Sequence, residues 1–274
     1  MGKQQLANRE RPKPTPLQIL LDPISLAVLG IYAALILLEA LFPARPLPKV
    51  RGWRTRALVV FAGYFFLSSY LPLLWGDTLA NLQLFDLQAV DPFAAAALGV
   101  LLFELFVYAW HRAMHETQWL WRGFHQMHHS AERMDIFGAF YFSPLDTLGF
   151  TFFSSMALTI LGLPAKAVTY YLYATMFLAS IQHTNIRTPQ WLGYVVQRPE
   201  SHSLHHARGI HRYNYSDLPF WDIVFGTFRN PKEFMPESGF AGASSAQIGR
   251  MLMFRDIAAD AAASSGQAIQ RGRA

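Results

Sequence analysis

The chain has 274 residues, of which 52% are hydrophobic and 15% charged, and its formal net charge is +5 at pH 7. This apolar fraction exceeds that of an ordinary soluble domain, so a membrane is the expected environment. The absence of cysteine excludes disulfides, thiolate metal ligands and thiol nucleophiles. Lys and Arg are dispersed in loops beside apolar segments, without a base-stacking motif, which argues against a nucleic-acid partner.

Five apolar segments predict membrane helices in one domain over 1–274. The first three each approach the roughly 20 residues that cross about 30 Å of hydrocarbon. Gly162, Pro164 and Lys166 separate the last two into a helical hairpin whose second leg is barely long enough to cross. The predicted fold class is all-α, an integral membrane bundle of four to five spans with a cytoplasmic histidine-rich helical cap. The segments are 24–42, 57–75, 92–110, 145–163 and 166–182.

Charge in the connections predicts the orientation. The connection 43–56 holds five Lys or Arg and no acid, whereas 76–91 holds three Asp and no base. The positive-inside rule therefore places 43–56, and with it every histidine, on the cytoplasmic face. Lys3, Arg9, Arg11 and Lys13 also favour the inside, although five crossings would put the N-terminus outside, so the first segment is alternatively re-entrant or interfacial. No removable signal peptide is predicted, and the tail 257–274 is predicted to be disordered.

Ten histidines lie in one part of the chain. They are spaced His-x-x-x-His at HRAMH and His-x-x-His-His at both HQMHH and HSLHH, so that on a helix each group shares one face. Neutral imidazole binds zinc, copper, iron and nickel, and one tetrahedral zinc uses at most four protein ligands. So many imidazoles therefore predict a dinuclear site. The candidate ligands are His111, His115, His125, His128, His129, His183, His202, His205, His206 and His211.

These boxes resemble those of the fatty acid hydroxylase and sterol desaturase superfamily of histidine-box membrane oxygenases. WDIVFGTF at 221–228 is similar to the closing signature of that family, and the resemblance covers about 95–230. It implies an integral membrane oxygenase with two iron ions that activates O2 to hydroxylate or desaturate a fatty acyl, sterol or related lipid. Zinc is expected to replace iron on overexpression, because imidazole accepts both.

The resemblance leaves one ligand shell open. The box at His183 reads HTNIR, with Arg187 where a paired histidine is expected. Either His211 or a water held by Asn185 completes the shell. Asp222 and Glu104 are further candidates for hydrogen bonds that orient a ligand, and Asp146 and Asp217 also lie near the boxes, with Asp222 the strongest candidate of the three aspartates.

The sequence also predicts what must come from elsewhere. It contains no GxGxxG dinucleotide loop, no P-loop and no haem-attachment cysteine. Electrons are therefore expected from a separate reductase, ferredoxin or cytochrome that docks on the basic inner face.

Three other functions compete with an oxygenase. A metal-dependent membrane lipid hydrolase would use zinc-bound water and need no redox partner. A membrane metal transporter or storage protein would place its ligands at mid-bilayer, along a path with carboxylates. A b-type cytochrome would need axial histidines on facing spans, which adjacent His-His pairs at helix ends do not supply.

Overall fold

A computed structural model describes residues 12–265 as a helical bundle with a cap at one end. The first half of the chain contributes a short leading helix and four longer ones. These are α1 (Pro16–Leu21), α2 (Pro23–Leu41), α3 (Trp53–Tyr70), α4 (Pro72–Leu79) and α5 (Pro92–Glu116).

The second half alternates two long helices with short helical pieces that build the cap. After α5 comes the helical segment 118–129, whose middle, Trp121–His125, is a π-helical turn. The remaining helices are α6 (Pro144–Leu161), α7 (Ala165–Ile181), α8 (Pro199–His205), α9 (Pro219–Val224), α10 (Ile248–Leu252) and α11 (Ile257–Ser265).

Cap residues followed by proline fix where the long helices begin. Asp22 caps α2, Asp91 caps α5 and Ser143 caps α6, each accepting backbone N–H groups of the first turn. Proline follows each cap, where its missing N–H costs nothing. These signals explain why the predicted segments and the observed helices begin within a few residues of each other.

Within residues 12–265, four helical stretches are long and apolar enough to cross a membrane: Pro23–Leu41, Trp53–Leu82, Pro92–Glu116 and Pro144–Leu161. The fifth predicted segment forms α7, which at 17 residues is shorter than these. It packs against α5 and α2 inside the bundle, as a short leg can when its neighbours shield it. The predicted all-α membrane bundle of four to five spans is confirmed.

Close packing of α5 against α6 depends on Gly149. A Cβ at this position would lie 2.7 Å from the Trp110 indole nitrogen, so a larger residue would push the two helices apart. These helices carry or adjoin two of the histidine boxes, and their separation therefore sets the geometry of the cap.

The predicted disordered tail is wrong in its first part. Residues Ile257–Ser265 form α11, and Ile257 and Ala258 are buried in a cluster with Trp53 and Trp121. The burial of apolar side chains offsets the entropy cost of ordering a segment that is otherwise rich in Ala and Ser. Residues 266–274, and Lys3, Arg9 and Arg11 of the N-terminal prediction, lie outside the described part of the chain.

Candidate metal centre

All ten histidines are buried at the cap end of the bundle. Nine of them form two groups, each with ligand nitrogens within 4.8 Å of one another. The five-histidine cluster consists of His111, His115, His125, His129 and His205. The four-histidine cluster consists of His128, His183, His202 and His206.

Each His-x-x-His-His box contributes to both clusters. In the first box, His125 and His129 join the five-histidine cluster, while His128 turns to the other. In the second box the division is reversed. His205 joins the five-histidine cluster, and His202 and His206 join the four-histidine cluster. The expectation that each box acts as one face is therefore too simple. The middle histidine of each box, three residues after the first, lies far enough around the helix to reach a second ion.

The Nε2 atoms converge as metal ligands would. In the four-histidine cluster, His183 Nε2 lies 3.1 Å from His128 Nε2 and 3.0 Å from His202 Nε2. In the five-histidine cluster, the Nε2 atoms of His111 and His125 are 2.8 Å apart. Zinc-to-imidazole bonds of about 2.0–2.1 Å place opposed ligand atoms about 4 Å apart, so each cluster has the size of one coordination sphere.

Several of these ring nitrogens form no hydrogen bond with the described residues. Among the described residues, the buried Nε2 atoms of His115, His129 and His205 have no hydrogen-bond partner. A buried polar atom without a partner costs free energy, and a shared metal ion removes that cost for all of them. The donor set therefore fits two metal ions.

Hydrogen bonds at Nδ1 aim the rings of the five-histidine cluster. His111 donates to the Tyr215 carbonyl at 2.6 Å and His205 to the Tyr213 carbonyl at 2.7 Å. His125 Nδ1 lies 2.8 Å from Asp146 Oδ2. Such bonds fix the tautomer that leaves Nε2 free to bind a metal. In the four-histidine cluster, the carbonyl of Ala179 plays this part for His183 at 2.8 Å.

The two clusters are in direct contact. The rings of His129 and His206, one from each cluster, stack with centroids 4.1 Å apart and planes 14° from parallel. The two ions would therefore be neighbours in one dinuclear centre.

Burial keeps the imidazoles neutral. It lowers the pKa of His183 to about 4. The same cause, followed by repulsion between neighbouring imidazoles, holds the pKa well below its ordinary range for the other histidines of the cap segments. Neutral rings keep the lone pair that a metal ion requires. These residues are His125, His128, His129, His202, His205 and His206.

An apolar cavity of about 560 Å³ runs from the centre into the bundle. At its cap end it is lined by histidines of both clusters, and three of them, His128, His183 and His202, belong to the four-histidine cluster. Its walls are mainly aliphatic and aromatic side chains of α3, α4, α6 and α7. Several hydroxyl groups on these walls donate to carbonyls of their own helix, such as Ser69 to Phe65 and Thr175 to Tyr171. The walls therefore present little unpaired polarity to a ligand.

The carboxyl that contacts a histidine ring is not the one that the sequence favoured. Asp146, which the sequence ranked below Asp222, is the carboxyl that contacts a ring. Its signal was its place in the first turn of α6, directly after the Ser143 cap, where the helix starts at the cap end of the bundle.

Asp222, Glu104 and Asn185 contact backbone rather than imidazole, and Asp217 accepts a hydrogen bond from the Gln182 side chain. Asp222 accepts the N–H groups of Tyr215 and Ser216, and Glu104 accepts those of Asp217 and Leu218. Asp222 therefore acts on His111 only through the loop that carries the Tyr215 carbonyl. The side chain of Asn185 donates to the Arg45 carbonyl.

The structure places His211 behind His129 rather than in either cluster. Its Nδ1 atom lies 3.1 Å from His129 Nδ1. In this position a ring can orient a ligand from outside the coordination sphere. Arg187, which stands where a paired histidine was expected, forms an exposed ion pair with Glu233.

Comparisons with known proteins agree with this geometry. Residues 96–227 match the model of the fatty acid hydroxylase family. The chain is 32% identical to the ornithine lipid hydroxylase OlsE of Rhizobium tropici over 139 residues, which cover 49% of this chain and 41% of the relative. It is 29% identical to human cholesterol 25-hydroxylase over 143 residues, covering 47% of this chain and 49% of the relative.

A third relative has another lipid in its name. The chain is 33% identical to human alkylglycerol monooxygenase over 162 residues, covering 56% of this chain and 34% of the relative. The chain spans less than half the length of each of these three relatives. No solved structure matches it.

The matched region, 96–227, contains all ten histidines, both His-x-x-His-His boxes and nearly all of the closing signature. The resemblance inferred from the boxes is thereby confirmed: the part of the chain that carries all ten histidines matches the fatty acid hydroxylase family, and its relatives include lipid hydroxylases.

Proposed function

We propose that this protein is an O2-dependent lipid hydroxylase or desaturase with a dinuclear iron centre held by nine histidines. The observation that carries the proposal is the meeting of two histidine clusters at the cap end of an apolar cavity. The cavity supplies a place for a hydrocarbon substrate, and the clusters supply a place for the metal next to it. The names of the three relatives given above, two hydroxylases and one monooxygenase, favour hydroxylation.

The iron centre would supply the oxygen chemistry, and the protein would hold the ligands and position a C–H bond. Because the histidine ligands are neutral, they would leave the positive charge of the ions uncompensated. Asp146 and the carbonyls of Tyr213 and Tyr215 would keep the rings of the five-histidine cluster aimed at their ion.

The cavity fits a long apolar group. Residues of α7 from Val168 to Ala179 line it, followed by Gln182 and His183 just beyond the helix, so the cavity follows α7 for about 20 Å. Its volume lies within the range of about 300–1,000 Å³ that is usual for ligand pockets. A substrate lying along α7 would bring one of its carbons beside His128, His183 and His202 while water stays excluded by the apolar walls.

An electron donor completes the reaction. Hydroxylation inserts one atom of O2 into a C–H bond and reduces the other to water, which consumes two electrons and two protons. The sequence has no GxGxxG dinucleotide loop and no cysteine for haem attachment, so we infer that an external reductase, ferredoxin or cytochrome supplies the electrons. The cations of the connection 43–56 lie at the cap end, as a cytoplasmic location of the metal centre requires.

Lipid mass spectrometry tests this function. Lipids from cells that express the chain should contain a species heavier by one oxygen, or lighter by two hydrogens, than those from cells that express His128→Ala. Purified protein should hold about two iron ions per chain, as the two clusters require. Turnover of a lipid ester without O2 would overturn the proposal in favour of a metal-dependent hydrolase. Metal binding with no lipid product under any donor would favour a metal-binding or transport protein.

A further inference from the structure

The segment around α9 exposes a band of large apolar side chains, although it lies outside the four long spans. Together with the turn 190–195 it forms what we call the α9 patch. Val224, for example, is 55% exposed. A contiguous patch of this kind marks a surface that something covers. Its members are Trp191, Tyr194, Val195, Phe220, Ile223, Val224 and Phe225.

The position of α9 along α5 shows its depth. The Trp221 indole donates to the carbonyl of Leu101, and Phe225 stacks on Tyr108 with centroids 4.8 Å apart. Leu101 lies 11 residues before Arg112, which at 1.5 Å per residue is about 16 Å along the helix from the cap end. Half of a hydrocarbon layer roughly 30 Å thick is about the same distance.

The patch continues the outward-facing stripe of a span. Ala94, Leu98, Leu101, Leu105 and Tyr108 share one face of α5 by helical spacing. The first two are exposed, with Leu98 at 47%, while the others are partly or fully covered at the level of α9. The segment therefore covers half of this stripe and presents its own apolar side chains in its place.

The backbone leading into α9 is prepared for an environment without water. Non-helical backbone at membrane depth needs partners within the protein for its N–H groups. Glu104 accepts the N–H groups of Asp217 and Leu218 at 2.7 and 3.2 Å. Asp222 accepts those of Tyr215 and Ser216 at 2.8 and 2.9 Å. The need to pair these N–H groups gives a reason for the Glu104 carboxyl in the middle of the α5 span.

We propose that α9 and the turn 190–195 are inserted in the bilayer, where the α9 patch contacts lipid hydrocarbon beside α5. Trp191 and Tyr194 suit the edge of such an insertion, because amphipathic rings favour the membrane–water interface. The occupant of the patch is thus the lipid itself, and the cap is held at a fixed depth by a short re-entrant segment.

Spin labels can test this directly because the chain contains no cysteine. The variant Val224→Cys would carry a nitroxide in protein reconstituted into phosphatidylcholine vesicles. Leu98→Cys provides a lipid-facing reference, and Glu237→Cys provides a reference on the exposed polar side of the cap. The measurement is the collision rate of each label with O2, which dissolves in hydrocarbon, and with a polar nickel chelate, which does not.

The ratio of O2 to nickel collisions at Val224 should equal that at Leu98 and exceed that at Glu237 at least about tenfold, because polar solutes are costly to transfer into hydrocarbon. A ratio like that at Glu237 would overturn the proposal. A label shielded from both reagents would also overturn it, because it would place another protein or a second copy on the patch. None of these outcomes depends on enzymatic activity, so the proposed function stands or fails separately.

Discussion

The two histidine clusters differ in how firmly their rings are held. In the five-histidine cluster, Nδ1 atoms of His111, His125, His129 and His205 have partners in carbonyls, a carboxyl or another imidazole. In the four-histidine cluster, the buried Nδ1 atoms of His128 and His202 have no partner among the described residues. That cluster also faces the cavity with three of its four members, against two of five for the other.

This difference assigns the clusters different work in the proposed reaction. Five imidazoles, four of them with a partner at Nδ1, would nearly fill a coordination sphere and favour tight retention of an ion. Four imidazoles, two of them without such a partner, would leave more room for O2 beside the substrate. We therefore expect the five-histidine cluster to bind metal more tightly and the four-histidine cluster to lie nearer the reacting carbon.

The largest expected effect is the loss of both ions in acid. The folded pKa of His183 is about 4, below its ordinary value of 6.5, so the unfolded chain binds more protons between these two values. The corresponding stability is fully present above about pH 6.5 and is lost as pH falls towards 4. Thermal unfolding of the metal-free protein should therefore shift to lower temperature across this window, and dialysis at pH 4 should remove the metal. Unchanged metal content and unfolding temperature at pH 4 would contradict neutral imidazole ligands.

Removal of one ligand should weaken one ion site and abolish turnover. His128→Ala leaves three imidazoles in the four-histidine cluster and should empty it, so iron should fall from about two to about one per chain. His205→Ala leaves four imidazoles in the five-histidine cluster and should lower the metal affinity of that cluster. Elemental analysis and lipid mass spectrometry measure the two quantities. Full activity in either variant would refute the role of that cluster.

Asp146→Asn should weaken one cluster selectively. The substitution removes the carboxyl partner of His125, and loss of such a partner lowers metal affinity by 10–100-fold, here about 100-fold for a buried carboxyl. Competition with a chelator should show one weakened ion and one unchanged ion. Glu116→Gln is the control, since Glu116 lies beside His115 in sequence but forms an exposed ion pair with Arg112. Equal affinity in both variants would remove Asp146 from the centre.

The smallest expected effect belongs to His211. His211→Ala should lower the affinity of the five-histidine cluster by about tenfold, because His129 loses the neighbour at its Nδ1 atom. At saturating iron the variant should still hold both ions. A fall to one ion per chain would instead make His211 a ligand.

The resemblance, the membrane bundle and the crowding of the histidines were all predictable from the sequence. Proline and cap residues mark where helices begin, and apolar length marks which helices can cross a bilayer. The choice of Asp222 over Asp146 failed because both lie near the boxes in sequence, and only packing decides which carboxyl reaches a ring. Likewise, α11 was mistaken for a disordered tail, since a segment rich in Ala and Ser is ordered by the core that receives Ile257 and Ala258.

The sequence by itself limited the metal donors to imidazole and oxygen, because the chain has no cysteine, and it favoured imidazole, because ten histidines are grouped in one region. Tertiary structure decided how these donors divide. His128 and His129 are adjacent in the chain and belong to different clusters, and His183 joins His128 across 55 residues. Helical spacing gives the direction of each side chain, but the crossing of α5, α7, α8 and the segment 118–129 decides which directions meet.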